Sequence, residues 1–200
     1  MVAVMSYSGY DIEDAVVLNK ASLDRGFGRC MVMRKATAFL KKYPNGSYDR
    51  LVPPPIAAPG VNARAAQEAL LPYHSLDRDG ICQPGEILSY GDIYVNKQVP
   101  VNTSDQVINA DLPDTAFRNS PLTYKGPSAV SVDKVLLTSN EEEHFFVKIL
   151  LRSTRRPELG DKFSSRHGQK GVTGLIVNQC NMPFTEYGIT TSLSFFLNKK

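Results

Sequence analysis

Lys162 and Lys170 lie eight residues apart, with Arg166, His167 and Gln169 between them and Gly160, Gly168 and Gly171 around them. Arg155 and Arg156 stand just upstream. From Arg152 to Lys170 there are six Lys or Arg against two acids, Glu158 and Asp161, a local balance of +4. The whole chain carries +3, so everything outside this stretch sums to −1. The positive charge is one site, not a diffuse property. Ammonium and guanidinium groups donate to phosphate oxygens, and glycine lets a backbone approach a ligand closely. A polyanion is the natural partner. Spread over a surface the same charges would be a solvated basic face, but such a face has no use for the glycines.

A second constellation precedes it. Gly9-Tyr10-Asp11-Ile12-Glu13-Asp14 places three carboxylates in four positions after a glycine turn. Clustered acids of this kind can hold Mg²⁺, with water and substrate phosphates completing the shell. From the spacing alone, an acidic, helix-capping turn is the plainer reading. Together the cationic loop and the acidic turn suit phosphoryl or nucleotidyl transfer, in which cations and metal neutralise developing charge.

Other chemistries are excluded by what is missing. No Gly-x-x-x-x-Gly-Lys-Ser/Thr occurs, so the loop is not a P-loop. Gly26-Phe27-Gly28 lacks the third glycine of a dinucleotide fingerprint. Cys30, Cys82 and Cys180 are few, odd in number and far apart, which argues against a zinc site or disulfide framework and fits a reducing compartment. No apolar run approaches the roughly 18 residues of a membrane span, so no membrane partner is expected.

The elements that must hold these groups are short and mostly extended. Val2–Met5, Ala15–Leu18, Cys30–Phe39 and Ile93–Val99 read as strands, and Ser22–Gly26 as one helical turn stopped by glycine. Pro53–Gly60 cannot be regular, because proline removes donors and fixes φ. Ala63–Leu71 favours a short helix. Residues 102–128, rich in Pro, Asn, Asp and Ser, read as surface excursion. Val130–Thr138 and His144–Leu151 flank the polar Ser139–Glu143 and predict an antiparallel hairpin. Val172–Val177 predicts a strand directly after the basic loop. The expected class is mainly β with short helices, with the basic loop held between two strands.

Two long runs carry a resemblance. Ser6-Tyr7-Ser8-Gly9-Tyr10-Asp11-Ile12-Glu13-Asp14-Ala15 and Pro157-Glu158-Leu159-Gly160-Asp161-Lys162-Phe163-Ser164-Ser165-Arg166-His167-Gly168-Gln169-Lys170-Gly171 resemble signatures of the second-largest subunit of multisubunit DNA-directed RNA polymerases. Leu23–Cys30, Asp79–Glu86 and Thr154–Glu158 resemble the polymerase III version most closely. The likeness covers about residues 2–184, with 51–128 a looser, loop-rich excursion. It implies a hybrid-binding region containing part of a double-psi β-barrel. Lys162 and Lys170 would then face the RNA 3′ end and incoming nucleotide, with Arg166, His167 and Gln169 in the same nucleic-acid- and nucleotide-binding loop. Glu13 and Asp14 would sit near the second, nucleotide-borne Mg²⁺, through water. The tightly held Mg²⁺ would belong to the largest subunit. Implied partners are that subunit and the other polymerase subunits, template DNA, the RNA–DNA hybrid and nucleoside triphosphates, in the nucleus.

Two departures stand out. The family has an acidic Glu-Asp before Met-Pro-Phe where this chain has Cys180-Asn181-Met182-Pro183-Phe184. Its Pro-, Asn- and His-rich continuation is replaced after Gly188 by Ile189–Lys200. The expectation is an internal fragment with a divergent, poorly ordered tail over 185–200, inactive alone. The rival readings are a non-catalytic nucleic-acid-binding module, a metal phosphohydrolase using Asp11, Glu13 and Asp14, and an inert truncated competitor for polymerase assembly.

Overall fold

The fold was analysed in a computed structural model that describes residues 1–7, 9–10, 14–56, 63–104, 113–141 and 144–195. Among the described residues the chain is mainly β, as expected. The strands are β1 (Val2–Val4), β2 (Ala15–Asn19), β3 (Cys30–Phe39), β4 (Arg50–Leu51), β5 (Ile87–Leu88), β6 (Ile93–Val95) and β7 (Lys97–Pro100). They continue with β8 (Phe117–Asn119), β9 (Leu122–Thr123), β10 (Val130–Ser139), β11 (Phe145–Arg155), β12 (Lys162–Ser164), β13 (Lys170–Val177) and β14 (Leu193–Phe195). Two short helices, α1 (Lys20–Asp24) and α2 (Ala63–Leu70), and three 3-10 turns complete the regular structure of the described residues. No helix among the described residues is long and apolar enough to cross a membrane. The chain divides into two compact units, 1–31 with 154–200, and 32–153.

The first unit is a five-stranded sheet in the order β1-β14-β2-β13-β12. β2 is its central strand, parallel to β13 and antiparallel to β14. A strand covered on both faces needs an unbroken apolar run, which Val16, Val17 and Leu18 supply, each at most 3% exposed. Val16, Leu18 and Leu23 form the core with Phe163, Ile176 and Leu193 packed against them. Asn19 closes the strand, fully buried and fully engaged. Its side-chain amide donates to the Thr191 carbonyl at 2.9 Å, and its Oδ1 accepts the Ala21 N–H at 3.0 Å, capping α1.

β14 lies inside the divergent 185–200 tail expected to be poorly ordered. Three residues are too few for a legible period, and its strand character comes from pairing with β1 and β2 on either side.

In the second unit β10 and β11 form the expected hairpin, within a sheet ordered β3-β11-β10-β5. Val130, Val132, Val147, Ile149 and Leu151 alternate inward onto Leu76, Ile81, Leu88, Ile93 and Val95. A bulge between Val132 and Lys134 shifts the inward positions of β10 from even to odd numbers, so Val135 packs on the core and Leu136 turns outward, half exposed. The single strand expected over Ile93–Val99 is divided at Asn96. The Asn96 side chain donates to the carbonyls of both Val52 and Pro53 at 3.0 Å, and β6 and β7 enter different sheets on either side of it. Within 102–128, β8 pairs with β7 and β9 with β6. These two- and three-residue strands are carried by their partners rather than by local propensity.

Candidate functional site

The basic run is a β-hairpin. β12 and β13 pair antiparallel with Lys162 opposite Val172, Phe163 opposite Gly171 and Ser164 opposite Lys170. Residues directly opposite one another share a face, and the face alternates along each strand. Lys162, Ser164, Lys170 and Val172 are therefore on one side, with Phe163 and Gly171 on the other. The lysines stand on a diagonal, about 7–8 Å apart between strands. Both are exposed, and neither makes an ion pair with another described residue. This arrangement can present two ammonium groups to one phosphorylated ligand.

The opposite face explains why the hairpin is rigid. Phe163 packs on the Val16–Leu18–Leu23 cluster and stacks on Phe27, with ring centroids 6.2 Å apart and planes within 13°. Gly171 sits so close to β2 that a Cβ would be 2.5 Å from Val16 Cγ2 and 2.8 Å from the Asp14 carbonyl oxygen. Only glycine admits this approach. Gly171→Ala is expected to destabilise the unit by about 2 kcal/mol, lowering Tm by about 4–8 °C. Thermal unfolding checks this, and an unchanged Tm would mean that Val16 and Asp14 yield freely.

The loop between the strands is Ser165–Gln169, closed by Ser165 N–H to Gln169 O at 3.2 Å and Gly168 N–H to Ser165 O at 3.1 Å. Arg166, His167 and Gln169 are all exposed in it. His167 donates its backbone N–H to Ser165 Oγ at 3.3 Å.

Asp161 fixes the approach to Lys162. One carboxylate oxygen takes Arg155 Nη2 at 2.5 Å and the other accepts the Glu158 N–H at 2.9 Å. Its carbonyl accepts the Thr173 N–H at 2.8 Å. In the sequence Arg155 and Asp161 stand out only as charges. Their six-residue spacing around a proline and a glycine is the trace of this turn.

Asp14 joins the same neighbourhood. Its carbonyl accepts the Val172 N–H at 2.9 Å, and Val172 in turn stands opposite Lys162. Asp14 is exposed and left-handed, with φ of 67°, a conformation that aspartate tolerates better than most residues. Asp11 and Glu13 lie outside the described residues. Among the described residues no three metal-ligating side chains converge. Among the described residues Asp14 offers one exposed carboxylate here, which alone makes no closed metal cage.

Comparison with known proteins places this hairpin in a family. A family model described as RNA polymerase Rpb2, domain 6, matches residues 1–198. The chain belongs to the Rpb2 domain 6 family. The match runs past residue 184, where the resemblance carried by motifs ends. Among curated relatives, DNA-directed RNA polymerase III subunit rpc2 of Dictyostelium discoideum is 54% identical over 94% of this chain and 11% of its own length. DNA-directed RNA polymerase III subunit RPC2 of Saccharomyces cerevisiae is 46% identical over 96% of this chain and 16% of its own. DNA-directed RNA polymerase subunit Rpo2 of Sulfolobus acidocaldarius is 33% identical, again over 96% and 16%. This Rpb2 domain 6 chain thus spans between a tenth and a sixth of the curated relatives it matches.

Proposed function

We propose that this chain is part of the second-largest subunit of a nuclear DNA-directed RNA polymerase of the polymerase III type, and that its β12–β13 hairpin forms one wall of the nucleotidyl-transfer site. The observation that carries the reading is the register that puts Lys162 and Lys170 on one exposed face, with Asp14 bonded to the adjoining strand. The higher identity to the two polymerase III subunits than to the archaeal one supports the polymerase class.

In the reaction the RNA 3′-hydroxyl attacks the nucleotide α-phosphate and pyrophosphate leaves. Lys162 and Lys170 hold phosphate oxygens of the RNA end and the nucleotide, and their charge offsets the negative charge that grows at the transferred phosphate. Arg166, His167 and Gln169 donate to the same phosphates from the loop. Glu13 and Asp14 would hold, through water, the Mg²⁺ that accompanies the triphosphate, and that ion would supply Lewis-acid polarisation. The main Mg²⁺ belongs to the largest subunit, and the template DNA and the RNA–DNA hybrid are shared with it and the rest of the assembly.

The test uses Mg²⁺. In an assembled polymerase whose second-largest subunit carries this sequence, Asp14→Asn is expected to raise the Mg²⁺ concentration for half-maximal RNA extension several-fold. The isolated 200-residue chain is expected to extend no primer at any Mg²⁺ concentration. An unchanged Mg²⁺ requirement would remove Asp14 from the site, and extension by the isolated chain would overturn the subunit reading.

A further inference from the structure

Beside the hairpin, within the same unit, lies a cavity of about 240 Å³. Arg155, Arg156 and Lys162 line it together with Gly28, Cys30 and Phe163. It is smaller than the roughly 300–1,000 Å³ of a typical small-molecule pocket. Its charge is distinctive. Asp161 is its one acid, and that carboxylate is committed to Arg155 at 2.5 Å. Arg156 approaches Asp24 only to 3.7 Å with both side chains more than half exposed, a contact worth little in water. Lys162 makes no ion pair with a described residue. Two positive charges therefore face the cavity without a close counter-charge.

The walls are fixed from both sides. Gly28 has φ of +65°, and a Cβ on it would stand 2.6 Å from Pro157 Cγ, so the backbone of one wall rests directly on the buried proline that follows Arg156. Phe27 stacks on Phe163. Asp161 ties Arg155 to the Glu158 N–H across the intervening turn. A preorganised, doubly cationic hollow with fork-shaped guanidinium donors suits a tetrahedral oxyanion.

We propose that this cavity is a second phosphate site, in which Arg156 and Lys162 hold a phosphate group one step beyond those on the hairpin face. It rests on the polymerase reading above, because Lys162 belongs to both surfaces. The phosphate is either a backbone phosphate of the bound nucleic acid or part of the nucleotide's triphosphate. The two sources differ in what they control.

The test takes an assembled polymerase carrying this sequence, with Arg156→Gln and Arg156→Lys beside the parent. If the phosphate is from the backbone, Arg156→Gln lowers the slope of log affinity against log salt for an RNA–DNA scaffold by about one unit, and Arg156→Lys preserves it. If it belongs to the nucleotide, the slope stands and KM for the nucleotide rises several-fold in Arg156→Gln alone. No change in either quantity, or equal change in both variants, overturns the proposal.

A footprint on the unaltered enzyme covers the case of a variant that does not assemble. Cys30 is exposed on the cavity wall, whereas Cys82 is buried with its thiol pushed up to about 12 by desolvation. Peptide-resolved alkylation of Cys30 is expected to slow several-fold when scaffold or nucleoside triphosphate is bound, with Cys82 unlabelled throughout. An unprotected Cys30 with both ligands bound overturns the site. The polymerase reading stands or falls separately, on whether Lys170→Ala impairs nucleotide addition.

Discussion

Lys170→Ala in an assembled polymerase is expected to slow nucleotide addition on the order of a hundredfold at saturating nucleotide, with assembly intact. The size follows from where the charge acts. A cation held against a developing phosphate charge in a site that excludes water is worth far more than the same cation in solvent. Assembly is spared because the side chain is exposed and carries no ion pair with a described residue. Its backbone pairs with Ser164 whatever the side chain. Lys162→Ala is expected to act in the same direction, since the two lysines share a face. Rapid-quench measurement of single-nucleotide addition checks both. A rate within about twofold of the parent would remove Lys170 from the chemistry and leave the hairpin as a grip on nucleic acid, the binding-module reading.

The second large effect is on stability and lies in the other unit. Lys97→Met is expected to cost about 3 kcal/mol or more. Lys97 Nζ sits 2.9 Å from Asp49 Oδ2, with side-chain exposures of 14% and 1%. Removing the ammonium strands a carboxylate that water cannot reach. Tyr43 Oη at 3.1 Å and the Lys41 N–H at 3.2 Å still donate to it, so the loss falls at the lower end of the range for broken buried pairs. Burial, and after it the Asp49 carboxylate, already push the Tyr43 hydroxyl above its ordinary range, so the tyrosine stays a neutral donor. Lys97 also donates to the Phe39 carbonyl at 3.0 Å, which ties the end of β3 to β7. Thermal unfolding should show Tm lower by about 6–12 °C. Adding Asp49→Asn to Lys97→Met should recover part of that loss, because the second change removes the stranded charge. A shift under about 1 kcal/mol would mean the pair behaves as a solvated one.

What the sequence disclosed and what it withheld follow from the range of the interactions. Local charge marked the hairpin: six cations among nineteen residues between glycines need no fold to be noticed. Long alternating segments disclosed β10 and β11, because eight or more residues give a period of two room to register. The shared face of Lys162 and Lys170 was not legible. Their eight-residue spacing fixes a face only once Ser164 is known to oppose Lys170, and that register is set by Phe163 seeking the Val16–Leu18 core. β14 was hidden for the opposite reason: Leu193–Phe195 has no pattern of its own and becomes a strand by filling the gap between β1 and β2. Asn19, a polar residue at the end of an apolar run, gave no sign that both ends of its amide would be satisfied in a buried position. Arg155 and Asp161 entered the sequence only as charges in a local balance, and in the fold they pair across the turn that precedes Lys162.

The most direct measurement of the central claim is chemical. RNA carrying a 3′-terminal dialdehyde, bound in an assembled polymerase with template DNA, forms an imine with any lysine amine beside the RNA end, and borohydride reduction fixes it. Peptide mapping is predicted to find the adduct on Lys162 or Lys170. Adducts confined to lysines elsewhere, with both of these unmodified, would contradict the placement of the β12–β13 hairpin at the growing end of the transcript.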